Sequence, residues 1–254
     1  SYSDFSTKMS RLLMILSVLM AVTWSTRIID LSHKHGPETL MFADFPNFRR
    51  SDIFKGDIFP GVFFTYGKYS SGEHGGTHMD APVQIVKGGR SISDIPLEDR
   101  IAVGVQIDCS QEAARDRGFL VPVQKILDWE KAYGRIPNQA AVIMNFGWSS
   151  KFNNRTLYLG NDDIYSYVFP AVSAEAADWL YTNRHIKMLG TDTYTPDPLS
   201  VNGVKNLKGP ERLPHTGFIF HASPVKYVGN TAAQVRAYAV IEEASTTTKP
   251  GSGY

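Results

Sequence analysis

Glu73-His74-Gly75-Gly76-Thr77-His78-Met79-Asp80-Ala81-Pro82 is the segment from which the rest of the chain can be read. Gly75-Gly76 and Pro82 disfavour a regular helix, so helical i, i+4 ligand spacing does not apply. In an extended or looped segment His74, His78 and Asp80 are separated by even numbers of residues and can project to one side. The paired glycines let the backbone bend so that His74 reaches the same point. Two neutral imidazoles and one carboxylate leave positions open on a Zn²⁺ or Mn²⁺ ion, which suits catalysis rather than a closed structural site. Such an ion lowers the pKa of bound water toward about 7 and polarises a carbonyl. Spacing alone leaves a second reading open, in which the three are hydrogen-bonding loop residues with no ion.

Strand signals lie on both sides of this segment. Arg27–Leu31 and the β-branched, aromatic run Val62–Tyr66 precede it. Ile101–Asp108 and Ala140–Asn145 follow as nearly continuous apolar runs, the pattern of interior strands. Ile186–Gly190 and Gln234–Ile241 complete the β set. Pro122–Tyr133 reads as a helix with Val123, Ile126, Leu127 and Tyr133 on one face and Pro122 in its first turn. Ser173–Tyr181 reads as a second, with an N-cap serine and Glu175 near the positive end of the dipole. Strands mixed with helices predict an α/β or α+β domain, one unit over 26–241. Cys109, the single cysteine, ends an apolar strand and reads as a buried inert thiol, with a nucleophile as the alternative.

The ends read differently. Arg11 and the apolar run Leu12–Val22, followed by Thr23-Trp24-Ser25, predict a signal peptide over 9–25, with residues 1–8 upstream of a plausible start. The run is too short for a membrane span. A retained N-terminal helix is the alternative. Cleavage would give a secreted protein with no membrane attachment, and the sequon Asn154-Arg155-Thr156 agrees with export. The Ser-, Thr-, Pro- and Gly-rich segment 242–254 predicts a disordered tail.

The chain has 254 residues, 43% hydrophobic and 20% charged, enough for a sizeable core. Its 26 basic and 25 acidic residues give a formal charge of +1, with no long block of one sign. That balance argues against nucleic acid as a partner, because such affinity rests on clustered Lys and Arg. No nucleophile elbow, phosphate-binding loop or dinucleotide fingerprint appears, so a small-molecule substrate is the partner expected.

His74-Gly-Gly-Thr-His78-Met-Asp80-Ala-Pro82 resembles the signature of the cyclase family of metal-dependent hydrolases, which includes kynurenine formamidase and isatin hydrolase. Flanking segments match in order: Arg27–Ser32, Lys87–Arg90, Ile95–Glu98, Phe146–Trp148, and Gly190–Thr193 with Thr195 and Asp197. The resemblance spans about residues 27 to 215. It implies a swivelling β/β/α fold of mixed strands with flanking helices, assembled as a homo-oligomer, that hydrolyses a small cyclic amide or aryl formamide. N-formylkynurenine, the formamide hydrolysed to kynurenine in tryptophan catabolism, is the substrate it implies first. His74, His78 and Asp80 would hold one divalent metal ion, and Phe42 would contact the substrate.

Three departures bear on activity. Two residues beyond Pro82, where the family carries a histidine that moves protons, stands Gln84; its amide orients water but does not titrate near neutrality. Pro214-His215 lacks a residue the family has between its proline and histidine, and no acidic residue lies between His215 and Ile241. One metal ion is therefore expected, with His215 as a candidate ligand and His221 as its competitor. The C-terminal stretch Val225–Ile241 is also compressed. Asp192 reads as capping a turn, with a catalytic base as the alternative. These departures keep open a secreted, non-catalytic relative that binds a small ligand on the same fold.

Overall fold

The computed structural model describes residues 22–41, 45–161, 163, 166–196 and 203–246. In chain order the strands are β1 (Val22–Asp30), β2 (Arg49–Phe59), β3 (Val62–Ser70), β4 (His78–Asp80), β5 (Ile101–Asp108), β6 (Leu120–Val121), β7 (Ala141–Asn145), β8 (Ala171–Val172), β9 (Met188–Thr191), β10 (Gly203–Lys205), β11 (Phe218–His221), β12 (Ala232–Gln234) and β13 (Tyr238–Thr246). The α-helices are α1 (Ser110–Arg115), α2 (Val123–Tyr133), α3 (Arg155–Leu159) and α4 (Ala174–Arg184). A main unit, Ile28–Val240, carries the core and the site. A smaller unit consists of the two chain ends, within which Arg27 Nε donates to Glu243 Oε1 at 2.7 Å.

Nine strands form one mixed sheet in the order β1-β13-β11-β5-β7-β9-β10-β4-β12. Its centre, β5-β7-β9-β10, is parallel. β4 pairs antiparallel with β10 on one side and β12 on the other. Every residue of β7 is buried, as its unbroken apolar run predicts. One face of the centre packs on α2 and α4 through Ile126, Trp129, Ala176 and Leu180. Arg184 clamps Glu130 with two hydrogen bonds of 2.7 and 2.6 Å, fixing the two helices to each other. Ser173 caps α4 by accepting from the Ala176 N–H, and Pro122 sits at the N-cap of α2 rather than inside its first turn. Cys109 is fully buried, and burial pushes its thiol up to about 12, so the inert reading holds.

The expected strand Gln234–Ile241 is two strands. The chain leaves β4 at Gln234 and joins β11 at Tyr238. Between them the Val235 N–H donates to Thr77 O and the Ala237 N–H to Ser32 Oγ. β12 and β13 lie far apart in the sheet order yet are almost consecutive in sequence, so the sheet curls back on itself. β13 continues to Thr246, past the start of the segment whose composition reads as a tail, and β1 begins at Val22. Residues 9–21 of the expected signal peptide lie outside the described residues. Among the described residues no helix is long and apolar enough to cross a membrane.

The second sheet is a hairpin of β2 and β3, paired from Arg49↔Ser70 to Phe59↔Val62. Pro60-Gly61 turns it, with Gly61 at φ +77°, the position where a type II turn needs glycine. Nearly every residue of the hairpin is exposed, including Phe59, Val62, Phe63 and Tyr66. Patterning picked out β3 but not β2, whose Arg, Ser, Asp, Lys and Gly interrupt the apolar run.

Candidate metal centre

The bend expected at Gly75-Gly76 is present, and its tightness explains both glycines. Gly75 forms an isolated bridge with Met41, and a Cβ there would collide with the Met41 sulfur. Gly76 sits at φ +62°, the left-handed region, with His35 Nδ1 3.0 Å from where a Cβ would be. Past the bend, β4 puts His78 and Asp80 on one face of a strand. His74 comes back over them, its ring edge-on to His78 at 5.5 Å between centroids.

The ligand atoms of His74, His78 and Asp80 lie within 4.8 Å of one another, and all three side chains are buried. Their other hydrogen bonds decide which atoms face the centre. His78 Nδ1 lies 2.8 Å from Gly76 O, which only accepts, so Nδ1 carries the proton and Nε2 presents a lone pair. That Nε2 is 3.4 Å from Asp80 Oδ1. Thr231 donates its hydroxyl proton to Glu73 Oε2 at 2.6 Å and therefore accepts from His74 Nε2 at 3.0 Å. His74 Nδ1 is left 3.0 Å from Asp80 Oδ1. With both rings neutral, two nitrogen lone pairs and a carboxylate oxygen point at one another with no hydrogen between them. Such a group of acceptors is stable only around a proton or a cation. The donor set of two imidazoles and one carboxylate fits a divalent zinc- or manganese-type ion.

The surroundings hold this geometry. Glu73 Oε2 also accepts from the Thr231 and Ala232 N–H groups, at 2.8 and 3.1 Å. Gln234 Nε2 donates to Gly72 O and Glu73 O. Asn206, at φ +55°, donates to Gly76 O at 2.8 Å. Lys205 Nζ forms an ion pair with Asp80 Oδ2. Burial alone would raise the Asp80 carboxyl, but the Lys205 ammonium at Oδ2, with a proton or cation shared with His74 and His78 at Oδ1, outweighs it and holds the group far below the usual carboxylate range. Burial pushes His78 down against the pull of Asp80, which favours the neutral ring a metal needs.

Other expected site residues fall elsewhere. Gln84 lies half-buried in the single turn Pro82–Gln84 that follows β4. His215 does not join the cluster. Its Nδ1 is 3.2 Å from Gln106 O, and its ring packs on Tyr133 at 4.2 Å. It lines a separate cavity of about 480 Å³ with Asp108, Asn145 and Glu211. His221 stacks on Tyr238. Phe42 and Asp197 lie outside the described residues; Phe45 packs near the motif, its ring 6.0 Å from His74. Phe45 and Met41 help line a cavity of about 490 Å³ with Thr39, Arg49, Phe152 and Arg155. Asp192 is fully buried and accepts from the Phe146, Trp148 and Ser149 N–H groups, capping the turn after β7. Glu73, Lys205 and Thr231 were missed. Glu73 adjoins the motif and was within reach of a sequence reading; Lys205 and Thr231 enter through pairings across the sheet that no local pattern announces.

Residues 29–198 match the family model Cyclase ("Putative cyclase"). The isatin hydrolase of Roseibium aggregatum is 27% identical over 245 residues, covering 85% of this chain and 92% of that one. The structure of isatin hydrolase A from Labrenzia aggregata bound to benzyl benzoate is 28% identical with a TM-score of 0.77, covering 93% of this chain and 100% of that one. Isatin hydrolase A from Ralstonia solanacearum is 26% identical with the same TM-score, covering 85% and 92%. With its sheet, its bent histidine motif and a model match over most of its length, this chain is a member of the cyclase family.

Proposed function

We propose that the chain is a divalent-metal-dependent hydrolase that cleaves the carbon–nitrogen bond of a small aromatic amide. The observation that carries this reading is the convergence of His74 Nδ1 and His78 Nε2 on Asp80 Oδ1, at 3.0 and 3.4 Å. When bound there, a divalent ion supplies Lewis acidity at the attacked carbonyl and makes water a stronger acid. The protein's part is positioning. Glu73 and Thr231 fix the His74 ring, Gly76 O fixes the His78 tautomer, and Gln84 offers an amide to orient water or substrate. The cavity bounded by Met41, Phe45 and Phe152 suits an aromatic ring. In the reaction water adds to the carbonyl carbon, the C–N bond breaks, and the amine leaves with a proton.

Two substrates follow. Similarity to isatin hydrolases favours a cyclic aromatic amide; an aryl formamide such as N-formylkynurenine is the second. Assay of both with purified protein, before and after chelation and with Zn²⁺ or Mn²⁺ restored, tests the reading. Metal-restored turnover of either supports it. A protein that binds the ion yet turns over neither, while Gln84→His does, is instead a ligand-binding relative, the reading that Gln84 favours. The exposed apolar hairpin supports a homo-oligomer as the working form, which sedimentation velocity of the full chain checks.

A further inference from the structure

Lys205 ends β10 directly opposite His78, in the antiparallel register Lys205↔His78 and Val204↔Met79. Asp80 lies two residues beyond His78, so all three side chains share one face of the sheet. Its ammonium meets Asp80 Oδ2, with the two side chains 12% and 1% exposed. The two carboxylate oxygens are thus divided: Oδ1 faces the imidazoles and Oδ2 faces the lysine. A lysine is rarely buried unless paired, and here its partner is a metal-site carboxylate.

We propose that Lys205 is the built-in second cation of this site: by holding Asp80 Oδ2 it restricts the cluster to one divalent ion and weakens the hold on that ion. The proposal rests on the metal-dependent reading above. Asp80 and Lys205 cancel, so with neutral imidazoles a divalent ion brings the buried group to +2 rather than the +1 it would carry without the lysine. Like charges at such separation repel strongly where water is excluded. A second ion bridged from the same carboxylate would need Oδ2, and the ammonium has taken it.

The test is metal stoichiometry and affinity of the full chain, measured by equilibrium dialysis and elemental analysis with Zn²⁺ and Mn²⁺. Wild type is compared with Lys205→Met, Lys205→Glu, Lys205→Arg and His78→Ala. The expected result is one ion for wild type and Lys205→Arg. Lys205→Met should hold one ion about tenfold or more tightly, the scale on which groups beside a metal act, and Lys205→Glu should take up two. A wild type that binds nothing while Lys205→Met binds one ion supports the proposal in its strongest form. One ion in wild type, lost in His78→Ala, with stoichiometry and affinity unchanged in Lys205→Met and Lys205→Glu, overturns it and leaves the metal site standing. No ion in any variant overturns both. Should the lysine variants not fold, Mn²⁺ electron paramagnetic resonance on wild type decides: an isolated-ion spectrum at excess metal supports the proposal, and a coupled pair overturns it.

Discussion

Strand β4 and the β2–β3 hairpin are close neighbours in the chain, and they reverse the usual relation between polarity and burial. His78 and Asp80 on β4 are 3% and 0% exposed, while Phe59 and Phe63 on the hairpin are 69% and 59% exposed. β4 lies between β10 and β12, and its polar groups are buried because each finds a partner on a flanking strand or loop. The hairpin forms a sheet of its own, with no other strand beside it among the described residues. Burial follows from what the fold lays over a segment; hydrophobicity is only a tendency toward it. Polar residues buried at such cost point to function, and apolar residues left outside point to a partner.

The contrast can be broken most sharply at β4. His78→Ala should lower metal affinity by well over about a hundredfold, since losses even in the outer shell cost about 10–100-fold; competition with a chromogenic chelator measures it. Asp80→Ala should destabilise the metal-free protein by about 3–5 kcal/mol, because it leaves the Lys205 charge buried and unpaired. Urea unfolding reads this loss, and a change below 1 kcal/mol would show that the pair is well solvated. On the hairpin, Phe59→Ser with Phe63→Ser should alter the unfolding free energy of the monomer by no more than about 0.5 kcal/mol per site, while shifting any self-association to higher concentration. A hairpin variant that unfolds like a core variant would mean the exposed residues pack within the monomer.

Acidity sharpens the comparison further. His33 is held near 4 and His35 is also lowered, chiefly by burial in both cases. The unfolded chain takes up these protons near 6.5, so stability is full above that value and drains away as pH falls toward 4. Asp192, raised to about 6 by burial, opposes this: its contribution is present below 3.8 and lost as pH rises through 6. His78 and His221 are lowered by burial as well, so with four histidines against one raised carboxyl the melting temperature should drop from pH 7 to pH 5, and a rise would show that Asp192 dominates. The smallest effect concerns Cys109, whose buried thiol should react with a disulfide reagent only as the protein unfolds.

The legible parts of the sequence were those fixed by short-range chemistry. Gly75-Gly76 announced the bend, even spacing announced the shared face of His78 and Asp80, and continuous apolar runs announced β5 and β7. Ser173 announced its cap. What stayed hidden depends on pairing across long stretches of chain. β12 and β13 read as one strand because Gln234–Ile241 has no breaker, and only the change of partner from β4 to β11 divides them. His215 looked like a ligand because chemistry is visible in sequence and distance is not. Lys205 gave no signal, since nothing local says that β10 will lie beside β4 with the two aligned.

The reach from Glu73 to Thr231 has a consequence for biosynthesis. The three proposed ligands sit in the first third of the chain, but the hydroxyl that orients His74 is translated 158 residues after Glu73. A nascent chain on the ribosome therefore carries all three proposed ligands long before it can aim them. Truncations ending before Thr231 should keep every ligand and still lack a finished site, so the last segment made is the one that commissions the first.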